Sequence, residues 1–246
     1  MKDIVIKTHK LTKKFGDFVA TNEVTFEVER GEIFGFLGAN GAGKTTAMKM
    51  LSGLLKPSYG EATVAGFDVY RETEKIKQNI GYMSQKFSLY EDLTVEENIR
   101  FYGGIYGLSN RQIKEKSSAL LNRLNLMRDA KTLVASLPLG WKQKLSFSIA
   151  IQHEPTIVFL DEPTGGVDPV TRRQFWDMIY EAAASGITVF VTTHYMDEAE
   201  YCDRVSIMVD GVIEALDSPT GLKAKFAAQN MDEVFHQLAR GAKRGD

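Results

Sequence analysis

The sequence predicts an α/β fold in which a mostly parallel sheet carries helices on both faces, with an antiparallel β-layer near the N-terminus. Two observations support this prediction. Toward both ends of the chain, short apolar runs typical of buried strands alternate with segments of helical apolar spacing. Between them, residues of about 87–154 have mainly helical patterning, which predicts an inserted helical subdomain.

The N-terminal part of the sequence predicts strands and then a helix. Alternating or continuous apolar residues mark candidate strands within residues 4–37 and beyond, at Thr25–Val28, Ile33–Leu37, Glu61–Val64 and Ile80–Met83. Residues 44–55 have helical apolar spacing at Met48, Leu51 and Leu55. We expect Pro57 to end this helix, because proline cannot continue one.

The remaining elements follow from the same patterns. Helical spacing extends from Thr94 to about Leu126, from Pro138 to about His153, over Thr171–Ala184 and over Met231–Ala239. Thr94 and Glu97 have the spacing of a capping box, which predicts a helix start. Apolar runs predict strands at Ile157–Leu160 and Ile187–Thr193, then a short helix and a hairpin at Arg204–Leu216.

The composition is that of a soluble globular protein, with 43% apolar and 25% charged residues among 246. The 30 Lys and Arg against 32 Asp and Glu give a formal net charge of −2, which argues against a nucleic-acid partner. Cys202 is the sole cysteine, and we expect it to be a small buried side chain in a reducing compartment. Because the sequence has no apolar run long enough to span a membrane and no secretory pattern, we expect a cytoplasmic protein that reaches a membrane only through a partner.

Residues 38–45 match the phosphate-binding pattern G-x-x-x-x-G-K-[ST] between a predicted strand and a predicted helix. Glycines let successive backbone N–H groups wrap a phosphate, and a helix N-terminus directs its positive dipole end at the same anion. Lys44 is expected to neutralise the β- and γ-phosphates of ATP, and the Thr45 hydroxyl to ligate Mg²⁺. The alternative is a chance glycine-rich turn, which the flanking strand and helix disfavour.

Two acids end the apolar strand Ile157–Leu160. Ligands of a parallel sheet gather at the carboxyl ends of its strands, so Asp161 is expected to hold Mg²⁺, directly or through water. Glu162 would then act as the general base toward an attacking water. By themselves two acids after a strand are weak evidence, because many strands end in acidic loops. Together with the phosphate loop they predict a nucleotide hydrolase.

The motifs in this order resemble those of the ATP-binding subunit of an ABC transporter, over nearly the whole chain. Gln85 matches the glutamine of the Q-loop, Leu160–Thr164 the strand-end acidic motif, Gly166–Pro169 the D-loop and His194 the switch histidine. The resemblance implies a P-loop NTPase core, with an ABC ATPase domain over residues 1–226. Residues 227–246 would form a short C-terminal helical tail.

The resemblance also implies roles for individual residues. Glu162, His194 and Gln85 would be catalytic, and Thr45, Gln85 and Asp161 would hold Mg²⁺. The ATP-binding set would be Phe15, Gly38, Ala39, Asn40, Gly41, Ala42, Gly43, Lys44, Thr45 and Thr46. Taken singly, three of these residues have another interpretation. Phe15 would pack in the core instead of stacking on adenine, Gln85 would be a solvated surface residue, and His194 would be a turn residue.

One segment departs from the family pattern. Where the family usually has Leu-Ser-Gly-Gly, the signature that meets ATP held by a second, head-to-tail module, this chain has Leu137, Pro138, Leu139, Gly140, Trp141 and Lys142. Pro138 offers neither a hydroxyl nor an N–H, and Leu139 adds bulk. We hypothesise a weakened contact across the dimer, in which Asp168 of the D-loop also takes part. The alternative is a tolerated variant in a working homodimer.

The segment from Lys86 to Asn98 and the tail from Asn230 to Phe235 resemble the export-type branch of the family. The implied partners are a transmembrane permease subunit and a second ABC ATPase module, as homodimer or heterodimer, with the chain at the inner face of the cell membrane. Little sequence remains for the longer regulatory domain of many importer subunits. Tyr90, Phe101, Tyr102 and Tyr106 are candidates to line the permease groove, near Gln85 and residues 87–107, or to pack internally.

Two other classes of function remain open. One is a non-transport ABC ATPase acting on ribosomes or DNA, which the net charge of −2 disfavours. The other is a nucleotide-gated module that dimerises on ATP and hydrolyses it weakly, which Pro138 favours and Glu162 and His194 oppose.

Overall fold

The computed structural model describes residues 3–85 and 89–240. The strands are β1 (Ile4–Phe15), β2 (Phe18–Glu29), β3 (Ile33–Leu37), β4 (Tyr59–Val64), β5 (Phe67–Asp68), β6 (Ile80–Met83), β7 (Ile157–Asp161), β8 (Thr188–Thr193), β9 (Arg204–Val209) and β10 (Val212–Asp217). The α-helices are α1 (Lys44–Leu51), α2 (Thr73–Asn79), α3 (Val95–Ile105), α4 (Asn110–Arg123), α5 (Leu139–Ile151), α6 (Pro169–Ala184), α7 (Pro219–Lys225) and α8 (Met231–Ala239). Short 3-10 helices span Val134–Ser136 and Met196–Tyr201.

The strands form two sheets. The larger has the order β10-β9-β3-β8-β7-β6, in which every pair is parallel except the β9–β10 hairpin. The smaller has the order β2-β1-β4-β5, and all of its pairs are antiparallel. The predicted mostly parallel sheet and the N-terminal antiparallel layer are both confirmed. The sequence did not predict three short elements, which are β5, α2 and α7.

The register of the central strands brings the motif residues to one edge of the larger sheet. Leu37, the last residue of β3, pairs with Thr193 of β8, and Thr192 pairs with Asp161 of β7. Because these strands are parallel, the loops that follow them emerge side by side. The phosphate loop, Glu162 and His194 therefore share one rim.

The two faces of the larger sheet are covered differently, although helices pack on both of them, as predicted. On one face, Phe175, Trp176 and Ile179 of α6 pack with residues of α5 against Val158 and Val189. On the other face, the core contains α1 together with the antiparallel layer. Aromatic side chains fill that side, since the Phe190 ring lies 5.3–6.0 Å from the rings of Phe26, Phe34, Phe36 and Phe159. The antiparallel sheet presents its own alternating apolar residues, so it shares this face with α1.

Helices α3, α4 and α5 form the helical block, which has its own apolar cluster. The Thr94–Glu97 capping box is confirmed at the start of α3, and a second, formed by Ser109 and Gln112, begins α4. Whether residues 87–154 and the chain beyond residue 226 are separate units stays a prediction. In α8, Met231 and Val234 are buried in the same core as α6.

The end of α1 differs from the prediction. The helix stops at Leu51, well before Pro57, because Gly53 has φ of 71° and the chain turns there. Cys202 is buried, as predicted, directly after a 3-10 helix. Among residues 3–85 and 89–240, no helix is both long and apolar enough to cross a membrane.

Candidate active site

The phosphate loop turns tightly between β3 and α1. Gly43 has φ of 107°, and a Cβ there would lie 2.4 Å from the carbonyl oxygen of Ala20, so only glycine fits. Helix α1 begins at the next residue, Lys44, and its first N–H groups face the loop. Strand, glycine turn and helix start therefore form an anion-binding concavity.

Lys44 is buried below this loop, with 4% of its surface exposed. Its Nζ donates to the carbonyl oxygens of Gly38 at 2.7 Å and Ala39 at 3.1 Å, so the side chain folds back along the loop. Burial lowers the pKa of Lys44, and the nearby carboxylates of Glu162 and Asp161 oppose that shift. The cation is thus held among the residues that the sequence predicts for the phosphates.

Asp161 is buried at the carboxyl end of β7 and accepts two hydroxyl hydrogen bonds. Thr45 Oγ1 donates to its Oδ1 at 3.2 Å, and Thr192 Oγ1 donates to the same oxygen at 2.6 Å. No cluster of three or more His, Cys, Asp or Glu side chains suited to a metal occurs in the described part of the chain. Hydroxyl and carboxylate oxygens nevertheless suit Mg²⁺, which uses few protein ligands beside water and phosphate oxygens. Thr45 and Asp161 therefore fit the predicted metal position.

The side chains of Lys44, Gln85 and His194 all lie close to the carboxylate of Glu162. Its Oε1 lies 3.5 Å from Nζ of Lys44, and its Oε2 accepts a hydrogen bond from Nε2 of Gln85 at 3.0 Å. Nδ1 of His194 lies 3.0 Å from the same Oε2. With Gln85, Leu139 and His194, Glu162 lines a pocket of about 300 Å³. The structure brings the three predicted catalytic side chains together around one carboxylate.

The backbone of Glu162 has an unusual conformation. Its φ is 49°, in the left-handed region that a non-glycine residue seldom adopts. The backbone N–H of Glu162 is held by the carbonyl oxygen of Thr192 at 3.1 Å and by its Oγ1 at 3.2 Å. Strain of this kind persists only where the surroundings determine it, and it is common at active sites.

Thr192 is a site residue that the sequence did not predict, since it lies inside the predicted strand Ile187–Thr193 and belongs to no motif. It contacts both acids, and a hydroxyl on the strand next to Asp161 was the available clue. The aromatic ring of Tyr195, 4.2 Å from that of His194, was also missed. Neither residue has a motif of its own, and it is the pairing of β8 with β7 that brings Thr192 to the acids.

Phe15 lies on the surface at the end of β1, with 51% of its area exposed. The alternative that Phe15 packs in the core is therefore wrong. Nζ of Lys13 lies 5.0 Å from the ring centroid. An exposed aromatic ring beside a cation is a suitable surface for a flat base.

The segment that departs from the family signature, residues 137–142, forms the start of α5. Pro138 occupies the N-cap position without a side-chain cap, and its carbonyl oxygen accepts from the N–H groups of Trp141 and Lys142 at 3.0 and 3.1 Å. Leu139 is exposed and lines the pocket that contains Glu162. A Cβ on Gly140 would lie 2.4 Å from Cγ2 of Thr171, so α5 packs closely on α6 here. Leu137 is buried and Lys142 pairs with Glu91 at 2.7 Å.

Asp168 caps the first turn of α6. Its Oδ1 accepts from the N–H groups of Val170 and Thr171 at 3.0 Å each, and Thr171 Oγ1 donates to its Oδ2 at 2.6 Å. The hydrogen bonds from Thr171 and Val170 lower the pKa of Asp168. Within this chain it shapes the start of α6, and its role across a dimer stays a prediction.

Comparison with known proteins agrees with this geometry. The sequence model of the family described as "ABC transporter" matches residues 21–165. The probable multidrug ABC transporter ATP-binding protein YbhF of Escherichia coli K12 is 51% identical over 241 residues, which are 96% of this chain and 42% of that protein. The linearmycin resistance ATP-binding protein LnrL of Bacillus subtilis is 34% identical over 231 residues, 94% of this chain and 74% of that protein.

A solved structure described as an ATP-binding subunit of an ABC transporter has a TM-score of 0.86 and 29% identity, and the match covers 95% of this chain and 99% of that one. The chain spans less than half of YbhF, at 42%, and most of LnrL, at 74%. The phosphate loop, the acids after β7 and these matches agree. The chain belongs to the ABC transporter family, as an ATP-binding domain of that family.

Proposed function

We propose that this chain binds Mg²⁺ and ATP at the rim of its larger sheet and hydrolyses the ATP to power export through a partner transmembrane subunit. The observation that carries the proposal is the convergence of Lys44, Gln85 and His194 on the carboxylate of Glu162. A phosphate-binding cation, an amide and an imidazole around one carboxylate are the groups that hydrolysis of a phosphoanhydride needs.

In the proposed reaction a water molecule attacks the γ-phosphorus of ATP and the bond to the leaving ADP oxygen breaks. Glu162 accepts the proton of that water, while Gln85 and His194, both 3.0 Å from its Oε2, fix the carboxylate. Lys44 and the N–H groups at the start of α1 oppose the negative charge of the phosphates. When bound at Thr45 and Asp161, Mg²⁺ would add charge neutralisation. Phe15 would stack on the adenine ring.

The second module is proposed to dock at the start of α5. Leu139, at the start of α5, and the nearby Asp168 of this chain are both exposed, as a contact across a head-to-tail dimer requires. Pro138, the N-cap of α5, has neither a hydroxyl nor an N–H to donate to a phosphate held by that module, which is the basis of the proposed weakened contact. A weakened contact at Pro138 also favours a second candidate function, that of a nucleotide-gated module with weak hydrolysis.

The permease subunit is proposed to dock on an aromatic surface of the helical block. The rings of Tyr90 and Phe101, both exposed, lie 4.9 Å apart edge to face, and Tyr102 packs against Phe101 at 5.3 Å. Tyr106 instead stacks on His153 at 3.8 Å, and burial raises its pKa to about 12. Tyr106 still borders a pocket of about 330 Å³ with the exposed Leu54 and Ile105. Residues 86–88 of the predicted groove lie outside the described residues.

Export is supported by two relatives, whose names describe a multidrug transporter protein and a resistance protein. A place at the inner face of the cell membrane would follow from the transmembrane partner. The substrate would be selected by the transmembrane partner.

The test of hydrolysis is the turnover of Mg·ATP by the purified chain and by Glu162→Gln. We expect the variant to bind ATP normally and to turn over about 100-fold or more slowly, since only the base is lost. Equal rates would remove Glu162 from this role. Light scattering gives the mass of Glu162→Gln with and without Mg·ATP and so distinguishes a homodimer from a heterodimer. A dimer that forms only with ATP means that this chain pairs with itself. A monomer with bound ATP means that the chain needs a second module with the usual signature.

A further inference from the structure

Glu198 is a buried carboxylate that the proposed reaction does not use. It lies in the 3-10 helix Met196–Tyr201, and none of its surface is exposed. Its Oε1 accepts a hydrogen bond from Oγ1 of Thr164 and lies 3.7 Å from Nε of Arg172. In the described part of the chain, its Oε2 has no hydrogen-bond partner.

The two partners of Glu198 come from segments that carry other groups of the site. Thr164 is two residues after Glu162, in a turn where the N–H of Gly165 donates to the carbonyl oxygen of Glu162 at 3.2 Å. Thr164 is itself buried. A contact that fixes Thr164 therefore limits how far the backbone of Glu162 can move.

Arg172 connects the same carboxylate to His194. Its guanidinium carbon lies 4.4 Å from the ring centroid of Tyr195, and that ring is 4.2 Å from the ring of His194. Arg172 also extends from the first turns of α6, whose N-cap is Asp168. Glu198 thus joins the segments that follow Glu162 and His194, and the start of α6.

Burying a carboxyl group with one oxygen left without a hydrogen-bond partner is costly, so packing alone would be served better by an apolar side chain. The left-handed backbone of Glu162 adds a need for restraint, because such a conformation relaxes when its surroundings loosen. We propose that Glu198 is a positioning residue, which holds Glu162 and His194 at their mutual distance through Thr164 and Arg172. The proposal rests on the proposed hydrolysis of ATP.

The test compares Glu198→Gln and Glu198→Ala with the wild-type chain. Glutamine keeps a hydrogen bond to Thr164 but loses the charge beside Arg172, and alanine loses both. Because a displacement of about 1 Å at a reacting group can cost 100-fold in rate, we expect kcat to fall about tenfold for glutamine and about 100-fold for alanine. The affinity for ATP should stay within about twofold, since Glu198 has no contact with the phosphate loop.

Thr164 supplies a second pair of variants that avoids removing a buried charge. Thr164→Val deletes the hydroxyl at nearly constant volume and should lower kcat about tenfold, whereas Thr164→Ser keeps the hydroxyl and should restore most of the rate. This pair keeps the proposal testable if Glu198→Ala does not fold.

Glu32→Gln is the matched control. Glu32 is also a buried carboxylate, paired with Arg204 at 2.9 Å, but it precedes β3, at the end opposite to the phosphate loop. The Glu32→Gln variant should have a lower melting temperature than the wild-type chain and an unchanged kcat. If the Glu198 variants lower melting temperature alone, as this control does, the positioning role is overturned. If the wild-type chain has no Mg·ATPase activity, the proposed function fails, and the positioning role fails with it.

Discussion

Gln85 donates from its Nε2 to Oε2 of Glu162 over 3.0 Å, although the two residues follow different strands. The pairing of β6 with β7 explains the contact. Met83 lies opposite Leu160, so Gln85 and Glu162 are each two residues beyond a matched position. Gln85 also precedes the predicted helical subdomain in the chain, so we expect a movement of that subdomain to reach Glu162 through this contact.

Gln85→Ala is therefore expected to affect the reaction more than the binding of ATP. Without the amide, one restraint on the carboxylate is lost, and we expect kcat to fall about tenfold to 100-fold with little change in affinity. Steady-state turnover of Mg·ATP and a binding titration check this. Gln174→Ala, on the exposed surface of α6, is the control and should leave both quantities unchanged. A Gln85→Ala chain with the wild-type kcat would contradict the contact's role.

Lys44→Ala should abolish most of the affinity for ATP. Lys44 is the buried cation of the phosphate loop, so its removal leaves the β- and γ-phosphates without their main charge partner. We expect a loss of about 100-fold in affinity, measured by titration with a fluorescent nucleotide. Lys49→Ala, exposed in the last turn of the same helix, removes an equal charge and should bind normally. Unchanged binding by Lys44→Ala would refute the assignment of the phosphate loop.

The double substitution Pro138→Ser with Leu139→Gly tests the departing signature. Serine restores a hydroxyl and an N–H at the start of α5, and glycine removes the bulk of Leu139. If the contact across a dimer is weakened, one regained hydrogen bond to a phosphate should raise the ATPase rate of the purified chain about tenfold. Pro138→Ser alone controls for better capping, which raises the melting temperature without requiring a dimer. An unchanged rate in the double variant would contradict the weakened contact.

Much of the fold followed from local patterns. The strand-end acids Asp161 and Glu162 lie where the sequence predicts, because continuous apolar strands identify the centre of a parallel sheet. The helix α8 has its predicted bounds, Met231–Ala239. Periodicity sufficed in these places because local preference and tertiary packing agree.

The parts that failed depend on contacts between distant segments. The end of α1 was placed by Pro57, whereas the left-handed Gly53 ends the helix earlier. Phe26 of β2 and Phe190 of β8 belong to one aromatic core, and their separation in sequence hides the contact between the antiparallel layer and the larger sheet. Thr192 contacts both acids only because β8 is beside β7. Pairing of strands is not visible in local patterns, so these features needed the structure.

His153 gives a prediction about stability and pH. Its Nε2 lies 3.1 Å from the carbonyl oxygen of Ile80, and its ring stacks on Tyr106, so it joins the end of α5 to β6 and to α3. Burial, assisted by the nearby charge of Lys116, lowers the pKa of His153 from 6.5 to about 4, against the opposing effect of Ile80. The neutral form is the one that the folded chain accommodates.

Between pH 6.5 and about 4 the unfolded chain therefore binds a proton at His153 that the folded chain does not. The free energy of unfolding should decrease as the pH falls through this window, by roughly 3 kcal/mol in total from this residue. Above pH 6.5 both states are neutral and the effect vanishes. In His153→Gln the slope of unfolding free energy against pH should be shallower than in the wild type, measured by urea unfolding at pH 5 and pH 7. His236→Gln, which removes an exposed imidazole from α8, is the control. If wild type and His153→Gln lose the same stability between these two pH values, burial of a neutral His153 is not what makes the fold sensitive to acid.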